Sequence, residues 1–150
     1  FGGLMFDYAA NTYKATVDRW VDGDTVKLRV DLGQCVSVKG SYRLNRLNAP
    51  ETRRSSRVSA QEKEAGLALK DMLNRDYPEG TELWVSTEKA DRYGRYLVEL
   101  WVLQDDETLN LNDWLLDQGL CLPYDGKGAR PTVDKSKWQS ITDWLLGRKS

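Results

Sequence analysis

Three short segments of this 150-residue chain carry residue types from which a reactive site can be built: Asp22-Gly23-Asp24-Thr25-Val26, Arg43-Leu44-Asn45-Arg46-Leu47-Asn48-Ala49-Pro50-Glu51, and Asp91-Arg92-Tyr93-Gly94-Arg95. Between them they offer hard oxygen donors, a carboxylate able to act as a base, and guanidinium groups. That combination suits cleavage of a phosphodiester bond beside a hard cation. Each segment alone has a plainer reading. Asp-Gly is a common signal for a tight hairpin, Ala49-Pro50-Glu51 fits a turn off a strand end, and Asp91 to Arg95 fits a charged hairpin. Their joint presence gives them weight.

The chain has no histidine. Imidazole bases, Ser-His-Asp triads and His-ligated zinc are therefore excluded, and any catalyst works with carboxylates. The two cysteines, Cys35 and Cys121, are too few for a zinc site and too far apart for a Cys-x-x-Cys redox pair. Both are expected as buried free thiols. The net charge of −1 argues against indiscriminate binding to polyanions, yet charge is unevenly distributed. Six basic residues (Lys39, Arg43, Arg46, Arg53, Arg54, Arg57) accompany only Glu51 between positions 39 and 57, whereas Asp105, Asp106, Glu107, Asp113 and Asp117 form an acidic region. Two solvated faces of opposite sign would explain this by themselves, but the basic run overlaps the second chemical segment.

The elements that must position these residues follow from periodicity. Segments 13–20 and 25–30 alternate β-branched or aromatic residues with polar ones around Asp22-Gly23, and read as two strands of a hairpin. A third strand over 34–47 places Val36, Val38, Tyr42 and Leu44 on one face after a turn at Gly33, and Pro50 ends it. Ser59 with Glu62 makes a capping box for a helix over 58–75, whose apolar face is Ala65, Ala68, Leu69, Met72 and Leu73. Strands four and five are expected over 81–87 and 96–103. A second helix over 110–118 uses Leu111, Trp114 and Leu115, with Gly119 as its stop. Asp134 caps a third, whose stripe is Trp138, Ile141 and either Trp144 or Leu145, ending at Gly147. Pro123 to Pro131 is the one linker-like stretch. A chain of this length buries roughly 70% of its unfolded surface as one domain. The expected fold is mostly β with α: a five-stranded OB-like Greek-key barrel capped by three helices. Residues 1–12 are set apart as an N-terminal extension and 13–150 as the domain; neither a signal peptide nor a membrane-spanning segment is visible.

From about Lys14 to Tyr124 the order of the three segments resembles the staphylococcal nuclease (thermonuclease) family. The resemblance implies an OB-fold barrel and a calcium-dependent nuclease acting as a monomer on DNA or RNA, with low sequence specificity and 3′-phosphate products. It implies Asp24, Asn48 and the Ala49 backbone carbonyl as calcium ligands, with Asp22 supporting them from behind. Glu51 is implied as the group that orders or deprotonates the attacking water, and Arg43 and Arg95 as the pair that grips the scissile phosphate. Arg92, Tyr93 and Tyr124 are implied near the bound nucleotide. Two departures stand out. Asn48 occupies a position where the family usually has aspartate, so one ligand lacks a formal charge. Only Tyr124 is present where family members often have paired tyrosines.

A different class of function also fits these residues: a catalytically silent OB-type module that binds nucleic acid, with Asn48 marking the lost carboxylate. A third reading has the acidic region around Asp105 binding protein partners. The compartment is open on sequence grounds.

Overall fold

The computed structural model describes residues 11–90 and 95–148. Eight strands and three helices follow in the order β1 (Thr12–Asp22), β2 (Thr25–Gly33), β3 (Val36–Leu44), β4 (Leu47–Asn48), α1 (Ala60–Asp76), β5 (Glu82–Ala90), β6 (Tyr96–Gln104), β7 (Glu107–Asn110), α2 (Leu111–Asp117), β8 (Leu122–Pro123) and α3 (Lys135–Leu145). The main sheet runs β3-β2-β1-β5-β6-β7. A parallel pairing of β3 with β6, Arg43 opposite Leu97 and Leu44 opposite Val98, closes five of the strands into a mixed barrel. The architecture is the expected OB-like barrel with one additional strand, β7, and three helices.

Alternation decides which side chains fill the barrel. Ala15, Val17, Val26, Leu28, Val30, Leu44, Val85, Val98 and Leu100 point inward and are nearly or wholly buried. The twist of β1 changes at register shifts near Arg19 and before Asp22. These shifts turn Trp20 under α1, where its backbone N–H donates to Asn74 Oδ1 at 3.0 Å and its indole N–H to the Tyr77 carbonyl at 3.2 Å. The first hairpin is the predicted one: Asp22 pairs with Thr25, so Gly23 and Asp24 form a two-residue turn.

Helix α1 seals one barrel end. Ser59 caps it by accepting the Glu62 backbone N–H at 3.0 Å, and its buried face is the predicted one. Two close approaches tie this helix to the loops above it. A Cβ on Gly23 would run into the Leu69 side chain and Ala49, and a Cβ on Gly66 would collide with the Glu51 and Pro50 carbonyls. Leu69 is wholly buried beneath the hairpin, so its truncation to alanine should cost about 2–5 kcal/mol. Helix α3 packs on α1 through Trp138 and Ile141. Its stripe continues through Leu145, which joins the core, while Trp144 is largely exposed and meets Trp114 at 6.5 Å between ring centroids.

Four differences from the sequence reading have physical reasons. The turn into β3 is made by Gln34 and Cys35, both with positive φ, and Gly33 sits in a bulge before it. Cys35 is therefore exposed at a turn, and only Cys121 is a buried thiol, which burial pushes well above its ordinary pKa. The predicted third strand divides into β3 and the two-residue β4 around the left-handed Arg46. Val36 and Val38 lie on an exposed part of the β2–β3 ribbon, so that face is buried only from Tyr42 inward. No helix among the described residues is long and apolar enough to cross a membrane. Of the extension set apart at 1–12, residues 1–10 fall outside the described residues.

Candidate nuclease site

The β1–β2 turn, the end of β3, β4 and the loop that follows converge above the start of α1. Thr25 pairs with Arg43 across β2 and β3, and the Leu44 N–H donates to the Asp24 carbonyl at 2.8 Å, so the first two segments are locked together by backbone. Asp24 is only 7% exposed. Its Oδ2 accepts the Ala49 backbone N–H at 3.0 Å and its Oδ1 accepts the Thr25 hydroxyl at 3.1 Å. A buried carboxylate needs such partners to remain charged.

Arg43 leans over this carboxylate with Nη2 3.6 Å from Asp24 Oδ2. The same nitrogen donates to Asn48 Oδ1 at 3.1 Å, and the guanidinium carbon lies 6.0 Å from the centre of the Tyr124 ring. Asn48 is held by β4, where it pairs with Leu122 of β8, and is 3% exposed. Its Nδ2 donates to the Ala49 carbonyl at 3.2 Å. The Arg43 donor fixes the orientation of that amide, because the reverse orientation would set two N–H groups against each other. Tyr124 follows β8. Its backbone N–H donates to the Arg46 carbonyl at 2.9 Å and its hydroxyl to the Gly128 carbonyl at 2.9 Å.

Glu51 stands in the loop between β4 and α1, with its side chain 41% exposed. Its backbone N–H donates to Glu62 Oε2 at 3.0 Å, and its Oε1 lies 3.6 Å from Arg130 Nε. Asp22 Oδ1 accepts the Thr52 hydroxyl at 2.7 Å. Burial pushes the Glu51 carboxyl above its ordinary value; Arg130 opposes this, and Asp24, Asp22 and Glu62 add to the rise. Burial likewise raises Asp22, against the Thr52 hydrogen bond and with help from Asp24. The carboxylates of Asp22, Asp24, Glu51 and Glu62 thus share this corner with the cations of Arg43, Arg53, Lys70 and Arg130.

The residues present suit a hard cation in donor type: the Asp24 carboxylate, the Asn48 amide oxygen and the Ala49 carbonyl are all oxygen donors. Among the described residues no group of three or more Asp, Glu or Cys side chains comes together as a metal cluster. A cation here would depend on one carboxylate plus neutral oxygens.

Of the residues expected from sequence, Asp22, Asp24, Arg43, Asn48, Ala49, Glu51 and Tyr124 meet at this corner. Arg95 stands directly before β6, two residues ahead of the Leu97 that pairs with Arg43. Arg92 and Tyr93 lie outside the described residues. Two contributors carry no site signal in the sequence: Glu62 there is only part of a capping box, and Arg130 only part of a Gly- and Pro-rich linker. Nothing periodic in sequence marks Arg130, because its place depends on contacts 68 residues away. A separate groove lined by Lys14, Arg29, Trp84 and Leu103 lies on the barrel exterior and shares none of the site residues.

A family model described as staphylococcal nuclease homologue matches residues 41–139, well over half of the chain. The match begins inside β3, so it covers the Arg43–Glu51 segment, α1 and everything through the start of α3, while Asp24 is tied in by the hydrogen bonds above. No curated protein matches the chain closely enough to count as a relative.

Proposed function

The chain belongs to the staphylococcal nuclease family, and from that premise we propose that it is a calcium-dependent nuclease hydrolysing DNA and RNA with low sequence specificity. Family membership alone indicates a nuclease-like or nucleic-acid-binding OB-fold. The observation that carries the finer reading is the meeting of Asp24, Arg43, Asn48, the Ala49 carbonyl and Glu51 at one corner of the barrel.

In this reading Asp24, Asn48 and the Ala49 carbonyl hold calcium, which when bound supplies charge stabilisation at a phosphoryl oxygen. Asp22 reinforces the local negative charge. Arg43 offers its planar fork to the scissile phosphate and offsets charge that builds in the five-coordinate transition state, with Arg95 as its partner. Glu51 orients water for in-line attack on phosphorus and receives its proton. The P–O5′ bond breaks, its electron pair leaves with the 5′-oxygen, which takes a proton from solvent to become a 5′-hydroxyl, and the 3′-phosphate remains on the other product. Tyr124, beside Arg43, offers a ring face to a base or sugar, with Arg92 and Tyr93 near the nucleotide.

Purified protein incubated with single-stranded DNA should release fragments in millimolar calcium and none in chelator. Salt-sensitive binding without products at any calcium concentration would instead identify a silent binding module. Glu51→Gln should lower the rate by roughly 10²–10⁴-fold, as expected for loss of a positioned general base; an unchanged rate would remove Glu51 from that role.

A further inference from the structure

Glu62 is a carboxylate with its side chain 1% exposed, and such a group must be paired. Its Oε2 accepts from two donors: the Glu51 backbone N–H and Arg130 Nη2. Arg130 arrives from the segment between β8 and α3, far from α1 in sequence. Its side chain is 28% exposed. The Nε of Arg130 is buried and has no hydrogen-bond partner, yet it stands 3.6 Å from Glu51 Oε1, just beyond hydrogen-bond reach.

The order of constraint follows from burial. Glu62 is fixed in the helix and Arg130 is fixed by Glu62, so Glu51, the most exposed member, is the one whose position the other two determine. Its backbone is also held from below, where the bare Cα of Gly66 in α1 admits the Glu51 and Pro50 carbonyls. We propose that Arg130, anchored on Glu62, is a positioning residue that holds the Glu51 carboxylate toward the attacking water. This rests on the nuclease reading above and assigns Arg130 a task distinct from the phosphate contacts given to Arg43 and Arg95.

The test compares Arg130→Gln and Arg130→Lys in the wild-type and Glu51→Gln backgrounds. Calcium-dependent cleavage, melting temperature and amide hydrogen exchange at Glu51 are measured for each. Arg130→Gln should lower kcat roughly 10- to 100-fold, the scale of a small misplacement of a reacting group, with KM nearly unchanged. In the Glu51→Gln background the same change should have no further effect. Exchange of the Glu51 amide should quicken in Arg130→Gln, because Glu62 loses its cation. Arg130→Lys should recover the melting temperature by restoring charge beside Glu62 while kcat stays low, since lysine has no Nε beside Glu51. Equal losses in both backgrounds, a raised KM with kcat intact, recovery of kcat together with stability, or unaltered Glu51 exchange would each overturn the assignment. A wild-type protein that never cleaves overturns the nuclease reading and this role with it. Cleaving wild type matched by Arg130→Gln overturns the role alone.

Discussion

Arg43 and Arg46 lie one turn of chain apart in the same basic run, and the fold treats them oppositely. Arg46 Nε and Nη2 make a two-pronged contact with Glu99 at 3.0 and 2.7 Å, and Nη2 also meets Asp113 Oδ1 at 2.7 Å. Asn110 adds a hydrogen bond to the same Glu99 oxygen at 3.1 Å, so β6, α2 and the β3–β4 turn are stapled together. The hydrogen bonds Arg46 donates to Glu99 lead the causes that hold the guanidinium charged well above the ordinary arginine range. Arg43, in contrast, has its nearest carboxylate at 3.6 Å and a neutral amide at 3.1 Å. A guanidinium already neutralised by two carboxylates has little to give a phosphate; one beside a distant carboxylate and an amide retains both donors and charge. Under the proposed nuclease reading, the difference separates a structural arginine from one available to substrate, although the two are indistinguishable by composition.

The sharpest way to break this contrast is to remove each arginine in turn. Arg43→Ala should reduce kcat by roughly 10²–10³-fold, the usual consequence of losing a group that stabilises transition-state charge, with the melting temperature little changed. Single-turnover cleavage at saturating calcium reads the rate. A loss below tenfold would mean that Arg43 is no more committed to substrate than its neighbour.

Asn48→Asp should convert Arg43 toward the condition of Arg46. The new carboxylate adds a charged ligand and removes the amide that now donates to the Ala49 carbonyl. The calcium concentration for half-maximal rate should fall about tenfold or more, as expected when a charged ligand replaces a neutral one. At saturating calcium the rate should not rise in proportion, because Arg43 would then face two carboxylates. An unchanged calcium requirement would show that Asn48 is not a ligand.

Arg46→Ala should act on folding instead. Its side chain is 42% exposed, so solvent screens much of the interaction, but Glu99 is nearly buried and would lose its cation. The expected destabilisation is about 1–2 kcal/mol, between the values typical of exposed and buried pairs. Denaturant unfolding measures this, and kcat should stay within a few-fold of wild type.

The same contrast explains what the sequence revealed. The first hairpin, the barrel strands, the Ser59 cap and the three helices carry their signals locally, in turn residues and periodicity. Strand β7 carries one too, since Asp105 and Asp106 both adopt positive φ in a two-residue turn, but two adjacent aspartates fit an acidic region of the surface equally well. Strands β4 and β8 are two residues each and exist only because they pair with each other, which no local pattern encodes. Trp144 and Leu145 occupy adjacent positions on α3, and only the packing of α3 on α1 chooses Leu145 for the core. Within the site, the motif residues were legible because their spacing is fixed by strands and turns. The different surroundings of Arg43 and Arg46, and the presence of Arg130 beside Glu51, depend on carboxylates 50 to 80 residues away, such as Glu99 and Glu62.

The smallest effect concerns the charge the site holds without a cation. Burial raises Asp22 above its ordinary value of 3.8, and Asp24 adds to the rise while Thr52 opposes it. A carboxyl group raised by folding favours the folded state at low pH, below its unfolded value, and that contribution is lost as pH rises through the native one. In chelator, Asp22→Asn should therefore melt slightly above wild type at neutral pH, because the amide can still accept the Thr52 hydroxyl without the cost of a buried charge. The difference should vanish as pH falls below 3.8, where wild type is protonated in both states. Calcium should narrow the neutral-pH gap by favouring the ionised carboxylates of wild type. Asn110→Ala at the Arg46 network is the control, since its effect on melting should not respond to calcium. A gap at Asp22 that ignores both pH and calcium would mean that this corner, like the Arg46 staple, is built for folding alone.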